Sequence, residues 1–176
     1  MKSAYLLTGP PGTGKTRLII EALGEITGEV AGGFYTEEIR GQGARKGFRL
    51  ITLDGQTATL AHINIKGRHR VGKYGVDLEV MEEIAVPALR RAAEKGQLVI
   101  IDEIGRMELM STGFRQAVAE IIKGGHRVLG TITLNPHPPA DAIKQRPEVD
   151  LVPMTGSNSR QVLEDIRHWL KAGEAA

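Results

Sequence analysis

The chain of 176 residues contains no cysteine. It therefore has no disulfide framework, no thiolate zinc site and no cysteine nucleophile. An excess of one charge is missing too, because 23 Lys and Arg stand against 21 Asp and Glu, for a net charge of +2. The basic residues are spread along the chain rather than massed in a block. Nucleic-acid binding is therefore not expected as the primary role.

Long apolar runs are also missing. No run approaches the roughly 20 residues that cross a membrane, and the start, Met1 to Leu7, holds too short an apolar stretch for a signal peptide. There is no internal repeat, linker or low-complexity segment. These absences predict a single domain over residues 1–176, located in the cytoplasm and without a membrane partner.

What the sequence does contain is an alternation of apolar runs with segments of helical periodicity. Wholly apolar strands joined by helices are typical of a parallel sheet covered on both faces. The predicted strands are Ala4–Thr8, Gly32–Arg40, Leu98–Ile101, Arg127–Leu134 and Val149–Met154. The predicted helices are Lys15–Ile26, Val76–Gly96 with a kink or a break at Pro87, a helix from the cap Ser111 through Lys123, Ala140–Gln145 and Ser159–Gly173.

The stretch between the second predicted strand and the helix predicted from Val76, residues 41–75, has a different character. Phe48–Leu53 and Thr57–Ile63 flank an Asp-Gly pair, and this arrangement predicts an antiparallel hairpin. Residues 41–47 and 65–75 are rich in glycine and basic residues, so we expect surface loops there.

A glycine-rich loop stands between the first strand and the first helix. It fits the pattern G-x-x-x-x-G-K-[ST] with the residues Gly9, Pro10, Pro11, Gly12, Thr13, Gly14, Lys15 and Thr16. Glycines let backbone N–H groups turn inward, and the start of the helix adds further unpaired N–H groups, which together form an anion site. Lys15 would reach the β- and γ-phosphates of a nucleotide, and Thr16 would offer its hydroxyl to Mg²⁺. The alternative is a strand-to-helix turn with an incidental lysine.

A pair of carboxylates, Asp102 and Glu103, ends the apolar run Leu98–Ile101. Ligands of such sheets bind at the carboxyl ends of the strands. We therefore expect Asp102 to hold Mg²⁺, through water, and Glu103 to accept a proton from an attacking water. The alternative is a solvated strand end.

With these motifs, the chain resembles the small P-loop nucleoside-triphosphatases of thermophilic bacteria, archaea and animals, whose animal members are called cancer-related nucleoside-triphosphatases. The resemblance is carried by the stretches LLTGPPGTGKT, GGFYTEEIR, GFRLITLDG, RVGKYGVDL, IDEIGRMEL and LGTI. It implies Mg²⁺-dependent hydrolysis of ATP, GTP and other nucleoside triphosphates with loose base selectivity. It also implies a three-layer, RecA-like α/β fold with a mostly parallel sheet and an inserted antiparallel β-hairpin, in which the strand that bears Asp102 neighbours the strand that precedes the phosphate loop.

The resemblance also assigns nucleotide-binding residues. Besides the loop from Gly9 to Thr16, they are Val99, Ile100, Ile101, Asp102, Glu103, Ile104, Gly105 and Arg106. Family members often have lysine at the position of Arg106, where the arginine keeps the charge but changes the donor geometry toward a phosphate. The motif Glu-Asn-Arg of the family is replaced here by Ser-Asn-Ser-Arg, which ends at Arg160, and this arginine is carried over only as a residue that could pack on the base.

Several further polar residues have two interpretations each. Thr131 could orient the attacking water or bond to the backbone at a strand end. Glu37 and Glu38 could face the metal, although solvated carboxylates are more common. The basic residues of the second loop, Arg68, His69, Arg70 and Lys73, could supply an arginine finger or form a solvated basic surface.

Two functions besides hydrolysis fit a phosphate loop. A nucleotide or nucleoside kinase would need an acceptor pocket and a lid over the phosphates, for which residues 65–75 are a thin candidate. A regulatory switch would bind nucleotide and rely on a protein partner that the sequence does not identify. A carboxylate beside Asp102 favours water over an organic acceptor, so hydrolysis is the leading hypothesis.

Overall fold

The computed structural model describes residues 1–26 and 30–174. Within them, nine strands form one sheet in the order β5-β6-β4-β3-β2-β7-β8-β1-β9. The strands are β1 (Ala4–Thr8), β2 (Ala31–Gly41), β3 (Ala44–Thr52), β4 (Thr57–His62), β5 (Arg70–Val71), β6 (Tyr74–Val76), β7 (Leu98–Ile104), β8 (Val128–Ile132) and β9 (Val149–Pro153).

Helices lie between β1 and β2, β6 and β7, β7 and β8, and β8 and β9, and they cover the sheet on both faces. The α-helices in the described residues are α1 (Lys15–Gly24), α2 (Leu78–Val80), α3 (Val86–Glu94), α4 (Thr112–Lys123), α5 (Pro138–Lys144) and α6 (Ser159–Glu174). A π-helical turn, Met81–Ala85, joins α2 to α3, and a 3₁₀ turn, Glu108–Met110, precedes α4. Within the described residues, no helix is both long enough and apolar enough to cross a bilayer.

The central part of the sheet is parallel, as the sequence predicts. Strands β2, β7, β8, β1 and β9 lie side by side, and each pair of neighbours runs in the same direction. One implied detail is wrong: β7, which bears Asp102, does not adjoin β1, because β8 lies between them. All five residues of β8 are buried, so this strand needs a neighbour on either side, and such an order follows from tertiary packing rather than from any local pattern.

The other part of the sheet is antiparallel and larger than one hairpin. The predicted hairpin is confirmed as β3 and β4. Residues 41–47, however, are not a loop: β2 and β3 pair up to a tight turn at Gln42 and Gly43, both with positive φ. The predicted loop 65–75 contains the small hairpin of β5 and β6. Most of the polar side chains in both segments are exposed, although Tyr74 is buried, and exposed polar strands with glycine resemble loops in the sequence.

The predicted helices are confirmed. Pro87 lies in the first turn of α3, directly after the π-helical turn. The α-helical hydrogen-bond pattern is interrupted before Pro87, but the chain stays helical from Leu78 to Glu94, so it is not broken there. Ser111 caps α4 by accepting a hydrogen bond of 3.0 Å from the backbone N–H of Phe114. The apolar stripe of α6 is buried against the sheet and consists of Val162, Leu163, Ile166, Trp169 and Leu170.

Strand β7 takes part in both hydrophobic cores. Val99 and Ile101 face the core that holds α3 and α4, whereas Leu98 and Ile100 face the core that holds α1 and α6. Asp102 follows Ile100 by two residues, so it belongs to the face of the sheet that carries α1. The buried residues of β7 thereby place a carboxylate next to the loop that begins α1.

Candidate active site

The glycine-rich loop bends through positions that only glycine adopts easily. Gly9, Gly12 and Gly14 have φ values of 156°, 80° and 84°. A Cβ added at Gly9 would lie 2.3 Å from the carbonyl oxygen of Met154, so this residue also lets the loop approach the end of β9. The loop is therefore held between β1, β9 and α1.

The loop surrounds a positive charge. Nζ of Lys15 donates hydrogen bonds to the carbonyl oxygens of Gly9 and Pro10, at 2.8 and 2.9 Å. Helix α1 begins at Lys15, with Gly14 as N-cap and no side-chain cap. The N–H of Leu18 donates to the carbonyl oxygen of Gly14, which is the first hydrogen bond of the helix. The earlier amides of the helix lack intrahelical acceptors, and they add to the positive potential at this end.

Asp102 is the buried carboxylate of the site, with 2% of its surface exposed. Its Oδ1 accepts a hydrogen bond of 2.5 Å from the hydroxyl of Thr131, on the neighbouring strand β8. Its Oδ2 is buried and has no hydrogen-bond partner among the described residues. Burial raises the pKa of Asp102, while the hydroxyls of Thr131 and Thr16 act in the opposite direction. A buried oxygen without a partner suits a cation or a cation-bound water.

Glu103 lies beside Asp102 and lines the same cleft. Burial raises the pKa of the Glu103 carboxyl, the charge of Asp102 raises it further, and Lys15 lowers it. A carboxylate with a raised pKa is a stronger proton acceptor than a solvated one. Asp102 is therefore not the solvated strand end that the sequence left open, whereas the side chain of Glu103 is half-buried.

A third acidic residue, Glu108, joins this group, and the sequence did not single it out. It is buried, with 5% of its surface exposed, and burial raises its pKa well above the ordinary value, helped by the charge of Glu103. A Cβ added at Gly105 would lie 2.5 Å from Oε1 of Glu103 and 2.8 Å from Oε2 of Glu108. The 3₁₀ turn folds Glu108 back toward Glu103, and such a turn leaves no periodic signal in the sequence.

These elements border one cleft of about 680 Å³. On one wall lie the glycine-rich loop and the start of α1, at the base lie Asp102 and Glu103, and the opposite wall comes from β2 and β3. The residues that line it are Gly9, Pro11, Gly12, Gly14, Lys15, Thr16, Arg17, Ile20, Thr36, Glu37, Glu38, Arg45, Phe48, Asp102, Glu103, Thr133, Leu134 and Asn135.

Some residues that the resemblance assigned to nucleotide binding lie elsewhere. The side chains of Val99, Ile100, Ile101 and Ile104 are fully buried in the two cores and do not line the cleft. Nucleotide binding by this stretch stays a prediction. Arg106 and Arg160 are exposed and do not line the cleft.

The basic loop also lies outside the cleft. Arg70 donates to the carbonyl oxygens of Ile65 and Lys73, so its guanidinium holds its own loop together. The cleft instead contains Arg45, which the sequence did not single out because it stands in a stretch that resembled a loop.

Two open questions about polar residues are answered by their contacts. Within residues 1–26 and 30–174, the hydroxyl of Thr131 bonds to the side chain of Asp102 rather than to the backbone. Glu37 and Glu38 line the cleft, but each carboxylate is paired: Glu37 with Arg49 at 3.1 Å, and Glu38 with Arg40 at 2.5 Å and with Arg45 at 3.2 Å.

The parallel sheet, the glycine-rich loop before α1 and the acidic end of β7 define an α/β protein of the P-loop NTPase type. A family model described as NTPase matches residues 4–167. Nucleoside-triphosphatase THEP1 from a Thermotoga species is 44% identical over 166 residues, which cover 94% of either chain. The human cancer-related nucleoside-triphosphatase is 41% identical over 181 residues, with 94% of this chain and 95% of the human protein covered.

Solved structures agree with this relationship. The crystal structure of THEP1 from Aquifex aeolicus superposes with a TM-score of 0.84 and 36% identity, covering 92% of this chain and 96% of the other. The solution structure of the human cancer-related nucleoside triphosphatase gives a TM-score of 0.81 and 36% identity, covering 98% of each chain. The chain belongs to this nucleoside-triphosphatase family.

Proposed function

We propose that this protein hydrolyses nucleoside 5'-triphosphates, ATP and GTP among them, to the diphosphate and phosphate in the presence of Mg²⁺. The observation that carries the proposal is the shared cleft of Lys15, Asp102 and Glu103. A polyphosphate site on one wall of a cleft and a pair of acidic residues at its base are the parts that phosphoryl transfer to water requires.

The triphosphate tail binds in the glycine-rich loop. Lys15 exchanges its bonds to the carbonyl oxygens of Gly9 and Pro10 for bonds to phosphate oxygens, which are stronger because both partners are charged. The loop amides and the start of α1 add further donors. Because this grip is on the phosphates, which all nucleoside triphosphates share, we expect low selectivity for the base.

The residues present fit a magnesium ion. Oδ2 of Asp102 is buried without a hydrogen-bond partner in the described chain, and the side chain of Thr16 lies close enough to lower the pKa of Asp102. Within residues 1–26 and 30–174 there is no cluster of three or more His, Cys, Asp or Glu suited to a metal. That is expected of Mg²⁺ that is held mainly by substrate phosphates and water. When bound, Mg²⁺ would offset charge on the phosphates.

Glu103 is the proposed general base. Its carboxylate accepts a proton from water as that water attacks the terminal phosphate, and its raised pKa makes the transfer more favourable. Lys15 and the loop amides stabilise the charge that develops on the phosphate oxygens. The backbone of β7 holds the base in place, since its apolar residues are fully buried.

The kinase alternative is not favoured. A kinase needs a lid over the phosphates, and the thin candidate for it, residues 65–75, lies away from the cleft as the strands β5 and β6. The relatives are named nucleoside-triphosphatases.

A cytoplasmic location, and one domain over residues 1–176, stay predictions from the sequence.

A phosphate-release assay with ATP, GTP, CTP and UTP tests the proposal. We expect release with each triphosphate when Mg²⁺ is present, none after addition of EDTA, and none from Lys15→Ala. The matched control is Lys66→Ala, at an exposed lysine outside the cleft, which should retain the wild-type rate.

Two results would overturn the proposal. Hydrolysis that persists in Lys15→Ala would remove the phosphate loop from the reaction. Phosphate transfer to added nucleosides or nucleoside monophosphates, in place of phosphate release, would identify a kinase.

A further inference from the structure

Arg45 enters the cleft from the wall opposite the phosphate loop. It is the second residue of β3, and it lines the same cleft as Lys15 and Glu103. Among the described residues that line this cleft, the arginines are Arg17 and Arg45. Arg17 stands on α1 next to the phosphate loop, so Arg45 is the arginine that faces the loop from across the cleft.

The guanidinium of Arg45 is held in place by the surrounding residues. Its Nε donates to the hydroxyl of Tyr74 at 2.9 Å, and its Nη1 donates to Oε1 of Glu38 at 3.2 Å. It also lies over the ring of Phe48, 5.0 Å from the centroid. These contacts fix the orientation of a long side chain before any ligand binds, which lowers the entropic cost of its use.

The guanidinium has unused N–H donors along one edge, which are left for a further acceptor. Hydrogen bonds from Arg45 in the described chain come from Nε and Nη1, so the donors of Nη2 are not used there. The ion pair with Glu38 is partly exposed, with 42% and 43% of the two side chains accessible. Such a pair contributes little stability by itself, and the donors of Nη2 remain for a phosphate while Glu38 keeps its bond to Nη1.

The position along β2 also suits a terminal phosphate. The backbone of Thr36 lies close enough to Asp102 to lower its pKa. Glu38 follows Thr36 by two residues, so it lies on the same face of β2 and about 7 Å further along the strand. Arg45, bound to Glu38, therefore sits in the outer part of the cleft, beyond the acidic end of β7.

We propose that Arg45 donates hydrogen bonds to the terminal phosphate of the bound triphosphate and acts as an arginine finger supplied by the same chain. Its charge offsets the negative charge that develops on the phosphate as the bond to the leaving diphosphate breaks and the bond to water forms. Glu38 and Tyr74 are positioning residues, because they hold the guanidinium without contacting the substrate. The proposal rests on the proposed function, since the triphosphate tail must lie beside Lys15.

The test compares Arg45→Gln and Arg45→Lys with Arg49→Gln. Arg49 is the matched control, because it stands on the same strand and pairs with Glu37 at 3.1 Å but does not line the cleft. We expect Arg45→Gln to lower kcat about 10³-fold, with the affinity for a fluorescent diphosphate unchanged, because a diphosphate lacks the phosphate that Arg45 contacts. Arg45→Lys should retain part of the rate, since lysine keeps the charge but loses the planar, bidentate donor geometry of the guanidinium. Arg49→Gln should match the wild type.

A second measurement separates catalysis from folding. Wild-type protein should trap the diphosphate together with aluminium fluoride, which stands in for the phosphoryl group in the transition state, and Arg45→Gln should not. If Arg45→Gln melts below the assay temperature, the same comparison is made with Arg45→Lys, which keeps a long side chain with a positive charge at its end.

A wild-type kcat and a wild-type aluminium fluoride complex in the Arg45 variants would overturn the inference. If Lys15→Ala remained inactive in that case, the proposed function would stand without it. Activity in Lys15→Ala would instead overturn the proposed function itself.

Discussion

The hydroxyl of Thr131, on β8, donates a hydrogen bond of 2.5 Å to Oδ1 of Asp102, on β7. Thr131 is completely buried and Asp102 nearly so. The bond connects the two strands at the carboxyl end of the sheet and occupies one carboxylate oxygen, while Oδ2 has no hydrogen-bond partner in the described part of the chain. Strand β8, which lies between β7 and β1, thus helps to orient the carboxylate of Asp102.

Replacement of this threonine by valine, Thr131→Val, keeps its shape and removes the donor. The buried Oδ1 of Asp102 then loses its partner, which costs about 1–3 kcal/mol of the free energy of unfolding. Urea denaturation measures this difference. Thr57→Val, at an exposed threonine of β4, is the control and should change stability by less than about 0.5 kcal/mol. Equal effects of the two substitutions would contradict the role given to the bond.

The substitution Glu103→Gln removes the proposed base and keeps its size. We expect kcat to fall about 10²- to 10⁴-fold, because a glutamine cannot accept the proton of the attacking water. Binding of a fluorescent triphosphate should remain, so the loss appears in kcat rather than in affinity. Glu37→Gln is the control, since this carboxylate lines the same cleft but is paired with Arg49. A fully active Glu103→Gln would rule out the base.

A methyl group at residue 105, in Gly105→Ala, would press on two carboxyl groups of the site. It would approach Oε1 of Glu103 to 2.5 Å and Oε2 of Glu108 to 2.8 Å. These atoms are the ends of flexible side chains, so we expect a small change in stability but a clear loss of phosphate release as Glu103 moves. Gly24→Ala, where an added Cβ would meet no atom of the described residues within 4 Å outside the adjacent residues and the backbone of its own helix, should keep full activity. A wild-type rate in Gly105→Ala would show that the position of Glu103 is not critical.

The buried carboxyl of Glu108 predicts a pH dependence of stability. Its pKa in the folded protein lies well above the ordinary value of 4.5, so the folded state binds more protons than the unfolded state between these two values. The burial of Glu108 therefore destabilises the protein increasingly as the pH rises from about 4.5 through the folded pKa.

The variant Glu108→Gln removes this cost. We expect its melting temperature to exceed that of the wild type at pH 8, by about 2–4 °C for each kcal/mol gained, and the gain to shrink as the pH falls toward 4.5. Melting curves of both proteins across this range make the comparison. A difference that stayed constant with pH would show that the charge of Glu108 is not its cause.

Local patterns were sufficient for most elements of the parallel half of the sheet. The apolar runs of β1, β7 and β8 and the apolar stripe of α6 each carry their own signal, because a strand that is buried on both faces is largely apolar and a helix that is buried on one face is apolar at periodic positions. Residues 41–47 and 65–75 were misassigned for the converse reason. Their strands lie in the antiparallel extension with many exposed polar side chains, and exposed strands with glycine resemble loops.

The residues of the candidate active site also fall into two groups, those that local sequence patterns predicted and those that they did not. Lys15, Thr16, Asp102 and Glu103 belong to contiguous motifs, and the structure brings all four into one cleft. Arg45 and Glu108 are near such motifs but enter the site through a tight turn and a 3₁₀ turn, which change the direction of the chain without a periodic signal.

The sequence by itself determined the chemistry of the phosphate loop, because that chemistry needs a run of residue types whose conformations and charges are local properties. It also determined that apolar strands and helices would form covered layers. Only the tertiary structure decided that β8 separates β7 from β1, that Thr131 bonds to Asp102 and that Arg45 faces Lys15 across the cleft. These relationships join residues far apart in the chain, and they depend on strand order and packing, which are properties of the whole sheet.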